Sequence, residues 1–134
     1  MSEALVDFSL VIACYRDAPH LRRNTLALTD YLASTNKTFE IILIDDGSPD
    51  NSAEEIRETS TILSDRGILT KCIFLEKNQG RGHAVSRGIR EASGTIVGYI
   101  DIDLEPLMDG ILPMILKIES GVADFYVGRR VIAN

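Results

Sequence analysis

The chain has 134 residues, of which 45% are hydrophobic, and it carries a formal net charge of -6 at pH 7. This length suits one domain with its own apolar core, and the acidic balance argues against nucleic acid as a partner. No run of about 20 apolar residues occurs, so no transmembrane segment is predicted. Cys14 and Cys72 lack CxxC spacing, and we expect both to be reduced and buried in a cytoplasmic protein.

Hydrophobic periodicity predicts strands that alternate with helices along the whole chain. Strands are predicted at residues 8–15, 39–44, 71–75, 96–100 and 124–127, and helices at 20–33, from Asp50 or Asn51 to 64, 83–92 and 106–119, the last kinked at Pro113. This order is typical of one α/β domain over residues 1–134, with a mainly parallel sheet and right-handed crossovers. The apolar run at 96–100 is typical of a buried, central strand.

Polar residues follow four of the predicted strands, at the point where each strand ends. These segments are Tyr15-Arg16-Asp17, Asp45-Asp46-Gly47-Ser48, Asn78-Gln79-Gly80-Arg81 and Asp101-Ile102-Asp103. Ligands of open α/β sheets bind outside the carboxyl ends of the strands, where such loops meet. The sequence therefore predicts one site that is built from four separate loops.

The acidic segment after residue 100 predicts a metal site. Asp101 and Asp103 alternate along the chain, and such carboxylates repel each other unless a cation joins them. Hard oxygen ligands suit Mg²⁺ or Mn²⁺, which usually share their shell with substrate phosphates. Alternatively, the acids belong to the start of the helix that Pro106 opens, since acidic side chains are favoured at helix N-termini. The segment alone leaves both interpretations open.

The other loops also have two interpretations each. Asp45 and Asp46 can accept hydrogen bonds from a ribose or a base, or they can belong to an ordinary turn; we favour function for at least one. Arg81 precedes a helix and can pair with phosphate, or it can be a solvated surface arginine. Arg129 and Arg130 can neutralise a diphosphate, or they can be a surface basic pair.

Five segments, taken together and in this order, resemble known motifs. They are VIACYRD (11–17), ILIDDGSPD (42–50), NQGRGHA (78–84), YIDIDLE (99–105) and VGRR (127–130). The set resembles the nucleotide-sugar-binding half of family-2 glycosyltransferases. The segment VGRR is similar to the one that ends this half in members that resemble dolichyl-phosphate mannose synthase. Ala13 departs from the usual proline, Arg16 and Asp17 depart from Asn-Glu, and Glu105 stands where polyprenyl-phosphate sugar transferases often have glutamine.

The resemblance implies a Rossmann-like GT-A fold, with three α/β/α layers, and transfer of a sugar from UDP or GDP to a polyprenyl phosphate or a saccharide. It further implies a metal, Mg²⁺ or Mn²⁺, at Asp101, Asp103 and Glu105, of which Asp101 and Asp103 are catalytic. It implies that donor contacts come from a further set of residues: Tyr15, Asp17, Asp45, Asp46, Gly80, Arg81 and Arg130.

Two other classes of protein fit the sequence less well. A nucleotidyltransferase would have a glycine- and basic-rich loop after the first strand, where this chain has Tyr15-Arg16-Asp17. A receiver domain would have an aspartate ending the third strand and a lysine after the fifth, where this chain has Glu76 and Arg129. We also expect the chain to end before an acceptor-binding half, so that it is inactive alone and self-associates, and to belong at the cytoplasmic face of a membrane.

Overall fold

Strands and helices alternate along the chain in the predicted order. The structure is a computed structural model that describes residues 6–102, 110–122 and 124. Its elements are β1 (Val6–Cys14), α1 (Ala18–Ala33), β2 (Phe39–Asp45), α2 (Ser52–Asp65), β3 (Leu69–Phe74), α3 (Arg81–Glu91), β4 (Gly94–Ile100) and α4 (Ile111–Glu119). The α/β class is confirmed, whereas the predicted fifth strand lies outside the described residues apart from Asp124.

The four strands form a parallel sheet in the order β3-β2-β1-β4. In this sheet Ile12 of β1 pairs with Leu43 of β2 on one side and with Ile100 of β4 on the other. At the end of β1, Cys14 pairs with Asp45. The strands therefore end at nearly the same level, so the loops that follow them open on one edge.

The strands place alternate side chains on opposite faces of the sheet, and each face has a helical layer. One face packs against α1, α2 and α4, and its core includes Phe8, Leu10, Ile12, Leu21, Leu28, Ile41, Leu43, Ile56 and Ile115. The other face packs against α3, and its core consists of Val11, Ile42, Ile44 and Ala84. Three layers are thus present, as the sequence predicts.

Helix α3 approaches the sheet closely at Gly88. A Cβ atom at this position would lie 2.4 Å from Cγ1 of Val11 and 2.6 Å from Cδ1 of Ile44. The absence of a side chain lets the helix pack directly on β1 and β2. This contact fixes the helix whose first residue is Arg81.

Two details of the sequence prediction are wrong. A third, the central position of the strand at 96–100, depends on the predicted fifth strand, which lies outside the described residues. Among the described strands, β4 pairs with β1, and its residues alternate between half-buried and exposed. Helix α4 begins at Ile111, so Pro113 lies in its first turn, where a missing N–H costs no helical hydrogen bond and no kink is needed. Cys72 is half-buried, although Cys14 is buried as predicted, and both are free thiols.

No helix in residues 6–102 and 110–122 is long and apolar enough to cross a membrane.

A buried carboxylate joins the strands at the amino edge of the sheet. Glu40 is fully buried, and its Oε1 accepts hydrogen bonds from Ser9 Oγ and from the Ser93 backbone N–H, each at 2.6 Å. Lys71 Nζ lies 3.5 Å from Oε2. Burial acts to raise the pKa of Glu40, but the hydrogen bonds from Ser9 and Ser93, helped by Lys71, hold it below the ordinary 4.5.

Replacing this carboxylate should make the stability of the protein less dependent on pH. Because the pKa of Glu40 is lower in the folded state, its stabilisation is complete above pH 4.5 and is lost as the pH falls through the folded value. We expect Glu40→Gln to lower the free energy of unfolding at pH 7 by about 2 kcal/mol, and by less at pH 3. Urea unfolding between pH 3 and pH 7 measures this loss of stability, and Glu76→Gln, at an exposed position, is the control. An equal loss at every pH would contradict the assignment.

Candidate functional site

A cleft of about 310 Å³ opens at the carboxyl edge of the sheet. It is lined by residues from all four loops that the sequence predicts to converge: Ala13, Cys14, Tyr15, Asp17, Asp46, Asn78, Arg81, Asp101 and Ile102. Ala13 and Cys14 end β1, and Tyr15 and Asp17 follow it. Asp46 follows β2, Asn78 and Arg81 precede and begin α3, and Asp101 and Ile102 follow β4. The predicted convergence is therefore present in the structure.

Asp45, the first acid after the second apolar run, has a turn-forming contact. Its side chain is buried, and Oδ1 accepts a hydrogen bond of 3.2 Å from the backbone N–H of Ser48. Its own carbonyl accepts a hydrogen bond from the N–H of Leu75. Asp45 does not line the cleft. Of the two interpretations that the sequence left open, the turn accounts for these contacts.

Asp46 connects this turn to the loop before α3. Its Oδ1 accepts a hydrogen bond from the Gln79 backbone N–H at 3.1 Å, and its Oδ2 accepts one from Asn78 Nδ2 at 3.0 Å. The Asn78 amide also donates to the Asp46 carbonyl at 3.2 Å. Because Asp46 also lines the cleft, it both shapes the site and holds the loop that leads to Arg81.

Gly47 allows these two loops to touch. Its φ is +68°, and a Cβ atom there would lie 2.5 Å from both the backbone nitrogen of Asn78 and the carbonyl carbon of Lys77. Both the conformation and the contact therefore favour glycine at this position.

The loop after β1 is held by the same turn. Ser48 Oγ accepts a hydrogen bond from the Arg16 N–H at 3.0 Å, and Asp17 Oδ2 accepts one from the Tyr15 N–H at 2.9 Å. Arg16 has a φ of +57°, a left-handed conformation that is unfavourable for a residue with a side chain. The two hydrogen bonds stabilise this conformation and place Tyr15, which is 38% exposed, at the mouth of the cleft.

Cys14 lines the floor of the cleft but is not suited to act as a nucleophile. It is fully buried. Burial first, and then the nearby negative charges of Asp17 and Asp45, raise the pKa of its thiol far above the ordinary value. The thiol is therefore neutral at physiological pH, and only a thiolate would be reactive.

An ion pair crosses the cleft from α3 to the end of β4. Arg81 Nε lies 3.0 Å from Asp101 Oδ1, and the guanidinium carbon lies 5.6 Å from the centroid of the Tyr99 ring. The Arg81 side chain is 56% exposed and that of Asp101 is 29% exposed. Both groups can thus reach a ligand in the cleft.

The chemistry of Asp101 fits the predicted metal. It presents hard carboxylate oxygens, and it already has a cationic partner in Arg81. Mg²⁺ in a nucleotide site often uses only one or two protein carboxylates and takes its other ligands from phosphate and water. In the part of the chain that the structure describes, no group of three or more His, Cys, Asp or Glu residues can hold a metal. Asp103 and Glu105 lie outside the described residues.

The remaining predicted site residues are placed as follows. Five of them line the cleft: Tyr15, Asp17, Asp46, Arg81 and Asp101. Gly80 precedes α3 with a φ of +98° and does not line the cleft, and Arg130 lies outside the described residues. Two polar residues near the site were not predicted as site residues. Asn78 belongs to the NQGRGHA motif, so the motif could have identified it. Asn24 of α1 lies outside every motif, and nothing in the sequence pointed to it.

The chain belongs to glycosyl transferase family 2, because the family model matches residues 9–134. A relative in Shewanella sediminis, undecaprenyl-phosphate 4-deoxy-4-formamido-L-arabinose transferase, is 35% identical over 120 residues, covering 87% of this chain and 34% of that protein. The chain spans 27 to 37% of the length of the curated relatives that it matches.

Solved glycosyltransferases share the fold, at lower sequence identity. The mannosyltransferase PcManGT of Pyrobaculum calidifontis, in complex with GDP-Man and Mn²⁺, has a TM-score of 0.62 and 18% identity, covering 77% of this chain and 30% of that one. Residues 1–349 of S. aureus TarS, in complex with UDP-GlcNAc, have a TM-score of 0.61 and 22% identity, covering 88% of this chain and 32% of that one. The GT-A fold predicted from the sequence is confirmed.

Two glycine substitutions should separate the cost of the Gly47 conformation from the cost of its contact. Gly67 has a φ of +78°, and a Cβ atom at this position would have no atom within 4 Å. Gly67→Ala should therefore cost only the conformational strain, about 1–2 kcal/mol. Gly47→Ala should cost roughly 1–3 kcal/mol more, because Cβ overlaps the backbone of residues 77 and 78. Urea unfolding of both variants measures the difference. Equal losses would show that the two loops are not in close contact.

Proposed function

We propose that this chain binds a nucleoside diphosphate sugar, with UDP or GDP as the nucleotide, in the cleft at the carboxyl edge of the sheet. It would be the donor-binding part of an enzyme that transfers the sugar to an acceptor. The observation that carries the proposal is the Arg81–Asp101 pair in a cleft where four loops meet. A volume of about 310 Å³ is at the lower end of the range for small-molecule sites.

The charges of the cleft support a donor that binds together with a cation. Three carboxylates line it, from Asp17, Asp46 and Asp101, and among the described lining residues Arg81 is the cation. A diphosphate in this cleft would be repelled by the carboxylates unless further positive charge entered with it. Mg²⁺ or Mn²⁺ at Asp101 would provide that charge, and we assign Asp103 and Glu105 to the same ion from their spacing.

The nucleoside and the diphosphate of the donor each have a candidate contact in the cleft. Tyr15, exposed at the mouth, offers an aromatic ring to the nucleoside, and Asp17 and Asp46 offer acceptors to the base or the ribose. Arg81, at the first residue of α3, would bind the diphosphate together with the free N–H groups of that helix terminus. We assign Arg130 to the diphosphate from its place in the sequence motif.

The proposed reaction breaks the bond between the sugar and the diphosphate and forms a bond between the sugar and an oxygen of the acceptor, with the nucleoside diphosphate as the leaving group. When bound, the metal would stabilise the charge that develops on the leaving diphosphate, and Arg81 would contact the same group. For an acceptor that is a polyprenyl phosphate, the attacking oxygen is already ionised, so no strong protein base is needed.

We propose a polyprenyl phosphate as the acceptor, with a saccharide as the alternative. The proposal rests on the undecaprenyl-phosphate transferases among the relatives. Such an acceptor would be embedded in a membrane, which is why we propose a location at a cytoplasmic membrane face.

Calorimetry tests the proposed donor site. Wild-type protein should bind UDP or GDP more tightly with Mn²⁺ than without it, because a cation held by Asp101 would offset the negative charge of the diphosphate. Asparagine has nearly the same shape as aspartate, so Asp101→Asn tests the charge: it should lower the affinity measured with Mn²⁺ by at least about ten-fold. Asp103→Ala should do the same. Exposed Asp65→Asn changes the net charge equally and is the control. If neither nucleotide binds to the wild type, the proposed function is wrong.

Substitution of Arg81 should affect the nucleotide and the metal in different ways. Arg81→Gln removes a phosphate contact, so the affinity for UDP or GDP with Mn²⁺ should fall several-fold. It also removes the cation that pairs with Asp101, so the affinity for Mn²⁺ without nucleotide should rise, by a few-fold at most because the pair is partly exposed. Arg90→Gln, on the exposed part of the same helix, is the control. Unchanged nucleotide affinity would contradict the phosphate contact, and a loss of Mn²⁺ affinity would contradict the competition between Arg81 and the ion for Asp101.

A further inference from the structure

We propose that Asn24 of α1 is a positioning residue for Asp101, which it holds, through the carbonyl of the next residue Ile102, in the orientation that binds a divalent cation. This inference rests on the proposed function, because it assigns a role toward the ion of the same cleft. It concerns a residue that lies outside all five sequence motifs and does not line the cleft.

The contact that carries the proposal is a buried hydrogen bond between distant parts of the chain. Asn24 Nδ2 donates to the backbone carbonyl of Ile102 at 2.8 Å, across 78 residues of sequence. Asn24 is only 7% exposed and Ile102 only 5%. A hydrogen bond in such surroundings is not weakened by competition with water.

The carbonyl that Asn24 holds is in the middle of the acidic segment. It belongs to the peptide group that joins Ile102 to Asp103, and Asp101 immediately precedes Ile102. The Ile102 side chain is part of the main hydrophobic core. This residue is therefore fixed twice, by its side chain in the core and by its carbonyl on α1, while its neighbour Asp101 lines the cleft.

The position of Asn24 favours a role in orientation over a role in stability alone. The hydroxyl of the next residue, Thr25, is also buried, and it has no hydrogen-bond partner among the described residues. A buried polar group on α1 is therefore not always used to hold another segment of the chain. The Asn24 amide, in contrast, restricts rotation of the peptide group beside a proposed metal ligand, as groups around metal sites commonly do for ligands.

The test compares two substitutions on neighbouring positions of α1. Asn24→Leu removes the donor and leaves the Ile102 carbonyl buried without its partner, whereas Thr25→Val removes a buried hydroxyl of similar environment. Mn²⁺ affinity without nucleotide is measured by electron paramagnetic resonance of the free ion, and UDP and GDP affinity without metal by calorimetry. Thermal unfolding is recorded for each protein.

We expect Asn24→Leu to weaken Mn²⁺ binding by about ten-fold, with little change in metal-free nucleotide binding, and Thr25→Val to leave both unchanged. A purely structural residue would lower the melting temperature without this selective loss. Unchanged Mn²⁺ affinity in folded Asn24→Leu would overturn the inference and leave the proposed function standing. If the wild type binds nucleotide but no Mn²⁺, the inference fails with the metal site.

A measurement on wild-type protein covers the case in which Asn24→Leu does not fold. Paramagnetic Mn²⁺ broadens the resonances of nearby protons, and the Asn24 side-chain amide touches the peptide group beside Asp101. Titration of ¹⁵N-labelled protein with Mn²⁺ should broaden the Asn24 side-chain resonance before that of Asn36, which follows α1 at its other end. A sharp Asn24 resonance at saturating Mn²⁺ would overturn the inference.

Discussion

Parallel pairing of β1 on both of its sides is the constraint on which the rest of the structure depends. Residues of β1 pair with β2 and with β4 in matching register, so Ile12 is level with Leu43 and with Ile100. Parallel strands require a crossover through a helix, and each crossover begins at the same edge of the sheet. The four loops therefore meet there as a consequence of core packing, whatever their own sequences contain.

Loop contacts then determine the geometry of the cleft. Asp46 binds the loop at 78–79, Ser48 binds the backbone of Arg16, and Asn24 binds the carbonyl of Ile102. The bonds made by Ser48 and Asn24 join neutral groups and contribute only about 0.5–1.5 kcal/mol each, whereas those to the Asp46 carboxylate contribute about 1.5–3 kcal/mol. Together they connect the loops that line the cleft, so the loss of one contact should move groups that the substitution does not touch.

Hydrophobic periodicity predicted the strands and helices, because the burial pattern of each one determines which positions of the local sequence are apolar. It did not predict the order of the strands, since a continuous apolar run such as that of β4 fits a central or a terminal position equally well. The sequence also could not show that Asp46 lines the cleft and Asp45 does not, because the directions of two adjacent side chains are set only when the turn forms. Asn24 could not be found at all, since its partner lies 78 residues away.

The acidic character of the chain and its proposed anionic donor are compatible because the cleft can exchange partners. In the structure, the Arg81 guanidinium pairs with Asp101. An ion pair of this exposure contributes at most about 1 kcal/mol, so it can be replaced at little cost. A divalent cation at Asp101 would release Arg81 for a phosphate, and a phosphate on Arg81 would release Asp101 for a cation. By linkage, each ligand would then strengthen the binding of the other by the same factor, which joins donor and metal binding without any movement of the sheet.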